Sequence, residues 1–243
     1  NFYITGLPMN GKFIYNIVKI KKAAAITNCY AGLINEAERD AIVTACDEAL
    51  SGKFDGDFIS DAIQGGAGTT ANMNVNEVIA NRATEILGGK KGEYKCHPND
   101  HVNRSQSTND VIPTAGKLTV IEMFLELKAE AEKLIAALDQ KAVEFDGVIK
   151  MGRTQLEDAV PIRLGQEFAA YSSGIKRCLR LLEEAVSEMY SVNLGGTAIG
   201  TAVNVNKKYL KNVVPELSKI TGYKLTQAAN LIDATQNLDG FVF

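Results

Sequence analysis

Apolar residues recur at every third or fourth position over much of the chain, which is the spacing of helices that bury one face. The first such segment covers residues 35–51, where Asn35 can cap the first turn and Glu38 stands where a capping box needs it. The second runs from about Asn74 to Leu87 and ends at two glycines. Both segments are predicted to be helices.

Two longer segments follow in the second half of the chain. From Thr114, directly after Pro113, the helical period continues to about Phe145, which corresponds to about 45 Å of helix. The next runs over 158–190, with Asp158 as the predicted N-cap and a proline in the first turn. Two long helices joined by a short connection are expected to lie antiparallel, as in a bundle.

The remaining segments are shorter. Helices are predicted near residues 207–221, with a break at Pro215, and over 226–236. Few segments alternate with a period of two, and the best strand-like piece covers 147–152. The predicted fold class is therefore all-α, with low sheet content.

The pattern also predicts how the chain is organised. A helical N-terminal domain is expected over 1–108, followed over 109–243 by a central bundle of long helices that is truncated at its C-terminus. Both ends resemble cuts through a larger protein, since the first residue is not Met and the last follows a helical pattern directly. Long helices with apolar residues on more than one face need partner subunits to cover them, so a homo-oligomer is expected.

Composition narrows the classes of function. Lys plus Arg number 26 and Asp plus Glu number 29, so the net charge of −3 gives no basic surface for nucleic acid or an anionic membrane. No apolar run is long enough to cross a bilayer, and the first residues lack the order of a secretory signal. The four cysteines are scattered without a CxxC pair, which argues against a zinc ribbon and favours a reducing cytoplasm. Small ligands and protein partners remain.

Four loops combine many hydroxyl and amide side chains with a neighbouring helix. They cover residues 65–74, 97–110, 151–158 and 193–201. Helix N-termini offer unpaired N–H groups and the positive end of the helix dipole, so such loops suit the binding of carboxylates. A simpler interpretation is that the polar side chains of "STND", residues 107–110, only cap the long helix.

Other chemistries have weaker support in the sequence. The segment "GGAGTT" lacks the lysine of a phosphate-binding loop, and no GxGxxG or GxSxG motif occurs. His97 and His101 have a metal-like spacing, but Pro98 interrupts the helical face and no third ligand is evident. No metal site is predicted.

Four blocks of the sequence resemble the fumarase/aspartase superfamily over essentially the whole chain. They are "GAGTTANMNVNEVIANRA", "HPNDHVNRSQSTNDVIPTA", "GRTQLEDAVPIRLGQEFAAY" and "NLGGTAIGT". Within the superfamily, "KGEY", "SQSTND" and "MGRTQLEDAVP" are most similar to aspartate ammonia-lyases, whereas class II fumarases usually carry "SQSSND" and "GRTH". Some aspartate ammonia-lyases also have His at the position of Gln155, so a class II fumarate hydratase remains the alternative.

The resemblance implies a fumarase/aspartase-like fold and a cofactor-free, reversible anti elimination of L-aspartate to fumarate and ammonia. It assigns substrate binding to Thr69, Ser107, Thr108 and Asn109, joined by Thr154 and Gln155 from another subunit of a homotetramer. Thr108, Thr154 and Gln155 are the implied catalytic residues, with Thr108 on the side of the leaving group. Uncharged donors suit the dianionic aci-carboxylate intermediate because they stabilise its charge without becoming competing acids.

Two features limit these implications. His97, Asn99 and Asp100 match a segment that forms a secondary dicarboxylate site in class II fumarases, although a structural turn explains them equally well. The superfamily's catalytic serine lies in a "GSSxMPxKxN" block, which does not occur in these 243 residues. The chain is therefore expected to be an inactive fragment of a longer enzyme, and a non-catalytic helical scaffold protein stays an alternative.

Overall fold

A computed structural model describes residues 4–64 and 67–242, so residues 65 and 66 of the first polar loop lie outside the described part. The chain is mostly helical, which confirms the predicted fold class. The α-helices are α1 (Gly11–Tyr30), α2 (Glu36–Leu50), α3 (Thr69–Ile86), α4 (Thr108–Glu144), α5 (Leu164–Ser187), α6 (Lys207–Thr221), α7 (Leu231–Gln236) and α8 (Asp239–Val242). The strands are β1 (Ile149–Thr154), β2 (Glu157–Arg163), β3 (Ser191–Val192) and β4 (Thr226–Gln227).

The chain divides into two compact units. The first combines Asn1–Thr119 with Met189–Phe243, and the second is Val120–Glu188. The predicted domain division between residues 108 and 109 stays a prediction. Among residues 4–64 and 67–242, none of the helices combines the length with the apolar character that a span of a lipid bilayer requires.

Helix α1 forms the centre of the first unit, where it packs against α2, α3 and α6. The side chain of Asn10 caps it by accepting hydrogen bonds from the backbone N–H groups of Lys12 and Phe13. The sequence pattern did not predict α1, because buried residues occupy nearly every face of it and leave no polar stripe. Its fully buried residues include Ile17, Ile20 and, unusually, Lys21.

Helices α2 and α3 largely follow the prediction. Asn35 and Glu38 form the expected capping box at the start of α2. The predicted start of α3 at Asn74 is wrong, since the helix begins at Thr69. The side-chain oxygen of Gln64 accepts a hydrogen bond from the first-turn backbone N–H of Ala71 at 3.1 Å and so satisfies one of the free donors at the start of the helix.

The predicted start of α4 at Thr114 is also wrong, because the helix begins at Thr108 and contains Pro113. A proline inside a helix removes the N–H that would bond the carbonyl four residues earlier, here Asn109. The side chain of Asn193 supplies the missing donor, with its Nδ2 atom 3.0 Å from the Asn109 carbonyl oxygen. A donor from a distant loop therefore allows the helix to begin before the proline.

In the second unit, the later part of α4 lies antiparallel to α5, as predicted. Lys128 forms an ion pair with Glu183 at 2.6 Å, and Lys176 pairs with Asp139 at 2.7 Å. Residue numbers rise along one helix as they fall along the other, which defines the antiparallel arrangement.

The predicted start of α5 at Asp158 is wrong, because Asp158 and Pro161 lie in strand β2. This strand pairs antiparallel with β1, where the strand-like segment 147–152 was expected. A two-stranded sheet leaves each strand an unpaired edge, so a proline without an N–H is tolerated there. Helix α5 begins only at Leu164, after the hairpin.

The last segments differ from the prediction in two places. Helix α6 continues through Pro215 without the expected break. The predicted start of a helix at residue 226 is wrong, because β4 pairs there in parallel with β3, and α7 begins only after its cap at Asn230.

Candidate functional site

The first turns of α3 and α4 lie beside each other in the first unit. Gly68, which precedes α3 with a φ of 85°, packs so closely against Ile112 of α4 that an added Cβ would lie 2.9 Å from a side-chain carbon. One turn into α3, the Nδ2 atom of Asn72 donates to Thr108 Oγ1 at 3.2 Å. Since residues three apart share a helix face, Thr69 and Thr108 belong to one junction of two helix N-termini.

Ser107 directly precedes α4 and caps its N-terminus. Its Oγ atom accepts a hydrogen bond from the backbone N–H of Asn109 at 3.3 Å, and its own N–H donates to Asp110 Oδ1 at 2.9 Å. The capping interpretation is therefore confirmed for Ser107 and Asp110. Because the Ser107 hydroxyl oxygen accepts a bond from within the helix, its hydrogen can point towards a ligand.

The buried carboxylate of Asp110 joins two of the polar loops. Besides Ser107, it accepts hydrogen bonds from the backbone N–H groups of Gly195 at 3.0 Å and Thr197 at 3.1 Å. Burial raises the pKa of Asp110, while these three N–H groups and the charge of Lys21 act in the opposite direction. The loop of residues 193–201 is thereby fixed against the start of α4.

Asn109 is exposed but held in place by the same loop. Its Nδ2 atom donates to the carbonyl oxygen of Ala198 at 2.7 Å, and its own carbonyl accepts from Asn193. Residues 107–109 thus stand between the first turn of α3 and the 193–201 loop. Their predicted roles in substrate binding, and that of Thr69, stay predictions.

The other two predicted site residues lie in the second unit, Val120–Glu188. Thr154 ends strand β1, and Gln155 begins the turn to β2; both are exposed. Gln155 and Leu156 have φ angles of 49° and 66°, which suit a two-residue hairpin turn, and Leu156 is 94% exposed. The roles predicted for Thr154 and Gln155 stay predictions.

The segment predicted as a secondary site forms a short π-helix, Pro98–Val102, which begins after His97. The Nδ1 atom of His97 accepts from the backbone N–H groups of Asn99 at 3.3 Å and Asp100 at 3.2 Å. His101 Nδ1 accepts from the N–H of His97 at 2.7 Å, and its Nε2 lies 3.5 Å from Glu38. Within the described ranges, no three His, Cys, Asp or Glu side chains are grouped so that they could hold a metal ion. The secondary dicarboxylate site stays a prediction.

Lys21 is the main residue near the site that the sequence did not reveal. Its side chain is fully buried in α1, and burial lowers its pKa to about 7, against the attraction of Asp110. The available signal was a lysine at helical spacing from Ile14, Ile17 and Val18, but it carries meaning only once α1 is assigned.

Comparison with known proteins identifies the family of this helical, donor-rich chain. A family model described as lyase matches residues 5–243, so the chain belongs to this lyase family. The chain is 50% identical over 242 residues to an aspartate ammonia-lyase from Bacillus subtilis, covering 99% of the chain and 51% of that protein. An aspartate ammonia-lyase from Helicobacter pylori is 49% identical, with 100% and 52% covered.

Solved structures agree with the fold. A structure described as fumarate lyase:delta crystallin from Brucella melitensis, bound to cobalt, matches with a TM-score of 0.96 and 45% identity, covering all of this chain and 53% of that one. A class II fumarase from Schistosoma mansoni matches with a TM-score of 0.94 and 34% identity, with 100% and 55% covered. The resemblance to the fumarase/aspartase superfamily is confirmed, and the chain spans about half the length of the curated relatives it matches.

Proposed function

We propose that this chain contributes to the active site of an aspartate ammonia-lyase, which converts L-aspartate reversibly to fumarate and ammonia. The observation that carries the proposal is the junction of two helix N-termini at Thr69 and Thr108, beside the capping residue Ser107. Such a junction directs neutral donors and two positive helix ends at one place, which suits a small dicarboxylate. Because the chain spans half of its relatives, the activity is proposed for the full-length protein.

The chemistry needs stabilisation of negative charge more than any other assistance. A base removes a proton from Cβ, and the electron pair moves into the adjacent carboxylate to give a dianionic aci-carboxylate. That pair then forms the Cα–Cβ double bond as the Cα–N bond breaks and ammonia leaves. No cofactor is required. Hydroxyl and amide donors aimed at the oxygens where charge accumulates would stabilise the transition state more than the substrate.

The proposed roles follow the predicted assignments. Thr69, Ser107, Thr108 and Asn109 bind the carboxylates, with Thr108 on the side of the leaving amino group. Thr154 and Gln155 join them from a neighbouring subunit. The 243 residues contain no "GSSxMPxKxN" block, so the base is supplied by a part of the enzyme other than this chain.

Self-association is part of the proposal, as a homotetramer. Large apolar side chains in the second unit are exposed on both long helices, which supports burial against other copies of the protein. These side chains are Met123, Leu125, Leu127, Leu134, Val143, Tyr171, Leu181 and Leu182. A cytoplasmic location is proposed as well, because all four cysteines are unpaired thiols.

An assay of the full-length protein tests the activity. It is incubated with L-aspartate and, separately, with L-malate, and fumarate is followed by its absorbance. Fumarate from aspartate alone supports the ammonia-lyase. Fumarate from malate alone would favour a class II fumarate hydratase, the alternative that the 34% identity to a class II fumarase supports. Fumarate from neither substrate would refute the proposed function and favour a non-catalytic helical protein.

A further inference from the structure

The fully buried ammonium group of Lys21 donates its hydrogen bonds to three neutral side chains. It donates to Asn72 Oδ1 at 2.7 Å, Asn103 Oδ1 at 2.8 Å and Gln106 Oε1 at 3.0 Å. An ammonium group has three hydrogens and no acceptor, so each of these amides must turn its oxygen towards Lys21. A buried lysine thus fixes the orientation of three amide groups.

The orientation of Asn72 has a direct effect at the candidate site. Asn72 is buried, and its Nδ2 atom must point away from Lys21 because its Oδ1 atom points towards it. There it donates to Thr108 Oγ1 at 3.2 Å and to Asn103 Oδ1 at 3.3 Å. An amide nitrogen can only donate, so the Thr108 oxygen is the acceptor of this bond.

A threonine hydroxyl has one hydrogen, and its direction depends on this bond. If Thr108 accepts from Asn72, its hydrogen is available to a ligand. If the Asn72 amide were reversed, its oxygen would compete for that hydrogen, and Thr108 would face an anion with its lone pairs. Lys21 excludes the reversed arrangement while it is protonated.

We propose that Lys21 is a positioning residue that acts through Asn72 to keep Thr108 a hydrogen-bond donor towards the bound dicarboxylate. The proposal rests on the proposed function, because it concerns the same anion site. Lys21 itself does not contact the substrate. Its ammonium group determines which atoms donate and which accept in the hydrogen bonds that lead through Asn72 and Thr108 to the ligand.

Two substitutions in the full-length protein change the hydrogen bonds between Lys21, Asn72 and Thr108 in different ways. Lys21→Met removes all three donors at similar length, so Asn72 can turn. Asn72→Asp is isosteric and keeps the bond to Lys21, but it offers Thr108 an acceptor in place of a donor. Each is expected to lower kcat/KM for L-aspartate by about 10²-fold, the usual loss of one transition-state donor.

The decisive measurement combines each substitution with Thr108→Val in a double-mutant cycle, at a pH below the Lys21 pKa of about 7. Once residue 108 has no hydroxyl, its direction cannot matter, so each substitution should cost less than about threefold in the Thr108→Val background. An equal cost in both backgrounds would overturn the proposal, since neither a general folding role nor charge repulsion by the introduced carboxylate depends on the hydroxyl.

Lys22→Met is the matched control, because Lys22 is the next residue of α1 and pairs with Asp47 at the surface. It should leave kcat/KM unchanged.

Calorimetry with succinate provides a second readout of the same double-mutant cycles, and circular dichroism checks that each variant is folded. If Lys21→Met is unstable, the cycle with Asn72→Asp still tests the proposal. If the wild-type protein makes no fumarate but the variants show the expected coupling in succinate binding, the lyase is refuted and the positioning role is retained. If the wild-type protein makes fumarate but the variants show no coupling, the positioning role is refuted and the lyase is retained.

Discussion

At the scale of single residues, the candidate site depends on the direction of hydroxyl groups. Ser107 and Thr108 both accept hydrogen bonds from within the protein, at 3.3 Å and 3.2 Å, and can therefore donate outwards. Neutral donors held in this way need no rearrangement as charge develops on a ligand, which is the property that makes preorganised donors effective.

Thr108→Val removes such a donor with little change of volume. In the full-length protein, kcat/KM for L-aspartate is expected to fall by about 10²-fold or more, because the lost interaction is strongest in the transition state. Steady-state fumarate production measures it. Thr221→Val at the end of α6 removes a hydroxyl that bonds the Leu217 carbonyl and serves as the control. An unchanged kcat/KM for Thr108→Val would show that its assigned role is wrong.

Lys21 should also leave a trace in the pH dependence of stability. Its pKa is lowered from 10.5 to about 7 in the folded protein, so between these values the unfolded chain binds more protons than the folded one. Lys21 therefore makes the free energy of unfolding increase as pH rises through this window, by up to about 1.4 kcal/mol per pH unit. The same contribution is lost as pH falls towards 7.

Denaturant unfolding of the wild type and of Lys21→Met at several pH values tests this. The difference between their unfolding free energies should change with pH in that direction, whereas Lys22→Met should run parallel to the wild type. A Lys21→Met curve that stays parallel to the wild type as well would contradict the lowered pKa.

At the scale of elements, the closest helix contact in the second unit depends on a glycine. A Cβ added to Gly165, at the start of α5, would overlap the carbonyl oxygen of Ala142 near the end of α4 and lie 2.8 Å from backbone atoms of Asp146. Gly165→Ala is expected to lower the free energy of unfolding by about 1–3 kcal/mol, because backbone atoms cannot move aside cheaply.

Gly174→Ala is the matched control on the same helix, since nothing lies within 4 Å of its added Cβ. It should stabilise the helix by up to about 1 kcal/mol through the higher helix propensity of alanine. Thermal unfolding of both variants measures the contrast. Equal effects of the two substitutions would mean that the close approach at Gly165 is absent in solution.

Much of the helical architecture could be predicted from the sequence, whereas the errors at α1 and α4 come from packing and contacts with distant parts of the chain. Helix α2 and the antiparallel long helices follow from local caps and periodicity, which neighbouring residues determine. The start of α4 before Pro113 depends on a donor from Asn193, 84 positions away from the carbonyl it bonds. Helix α1 is buried on nearly all sides, so the sequence shows no helical period of apolar and polar residues there, and Lys21 was not recognised either.

Of the candidate site, the residue types and loops could be read directly from the sequence. The hydrogen bond from Asn72 to Thr108 could be found only in the packed structure.

At the scale of the whole molecule, the chain carries the proposed donors without the superfamily's serine block. The 243-residue chain produced alone is therefore expected to form no fumarate from L-aspartate at a rate near that of the full-length protein, because binding donors without a base cannot remove the Cβ proton. Parallel assays of the two forms, each checked for helical content, measure this. Comparable rates from the short chain would place the base within it and require a different assignment of the catalytic residues.

The hydrogen bonds that Asp110 accepts from Gly195 and Thr197 affect how the protein folds. The carboxylate reaches backbone groups that follow it by 85 and 87 positions, so closing these contacts costs the entropy of a long loop. On the ribosome, residues 107–110 emerge well before Gly195 and Thr197 do. The proposed anion-binding face of this chain is therefore expected to be completed late in folding, after the helices that surround it have been synthesised.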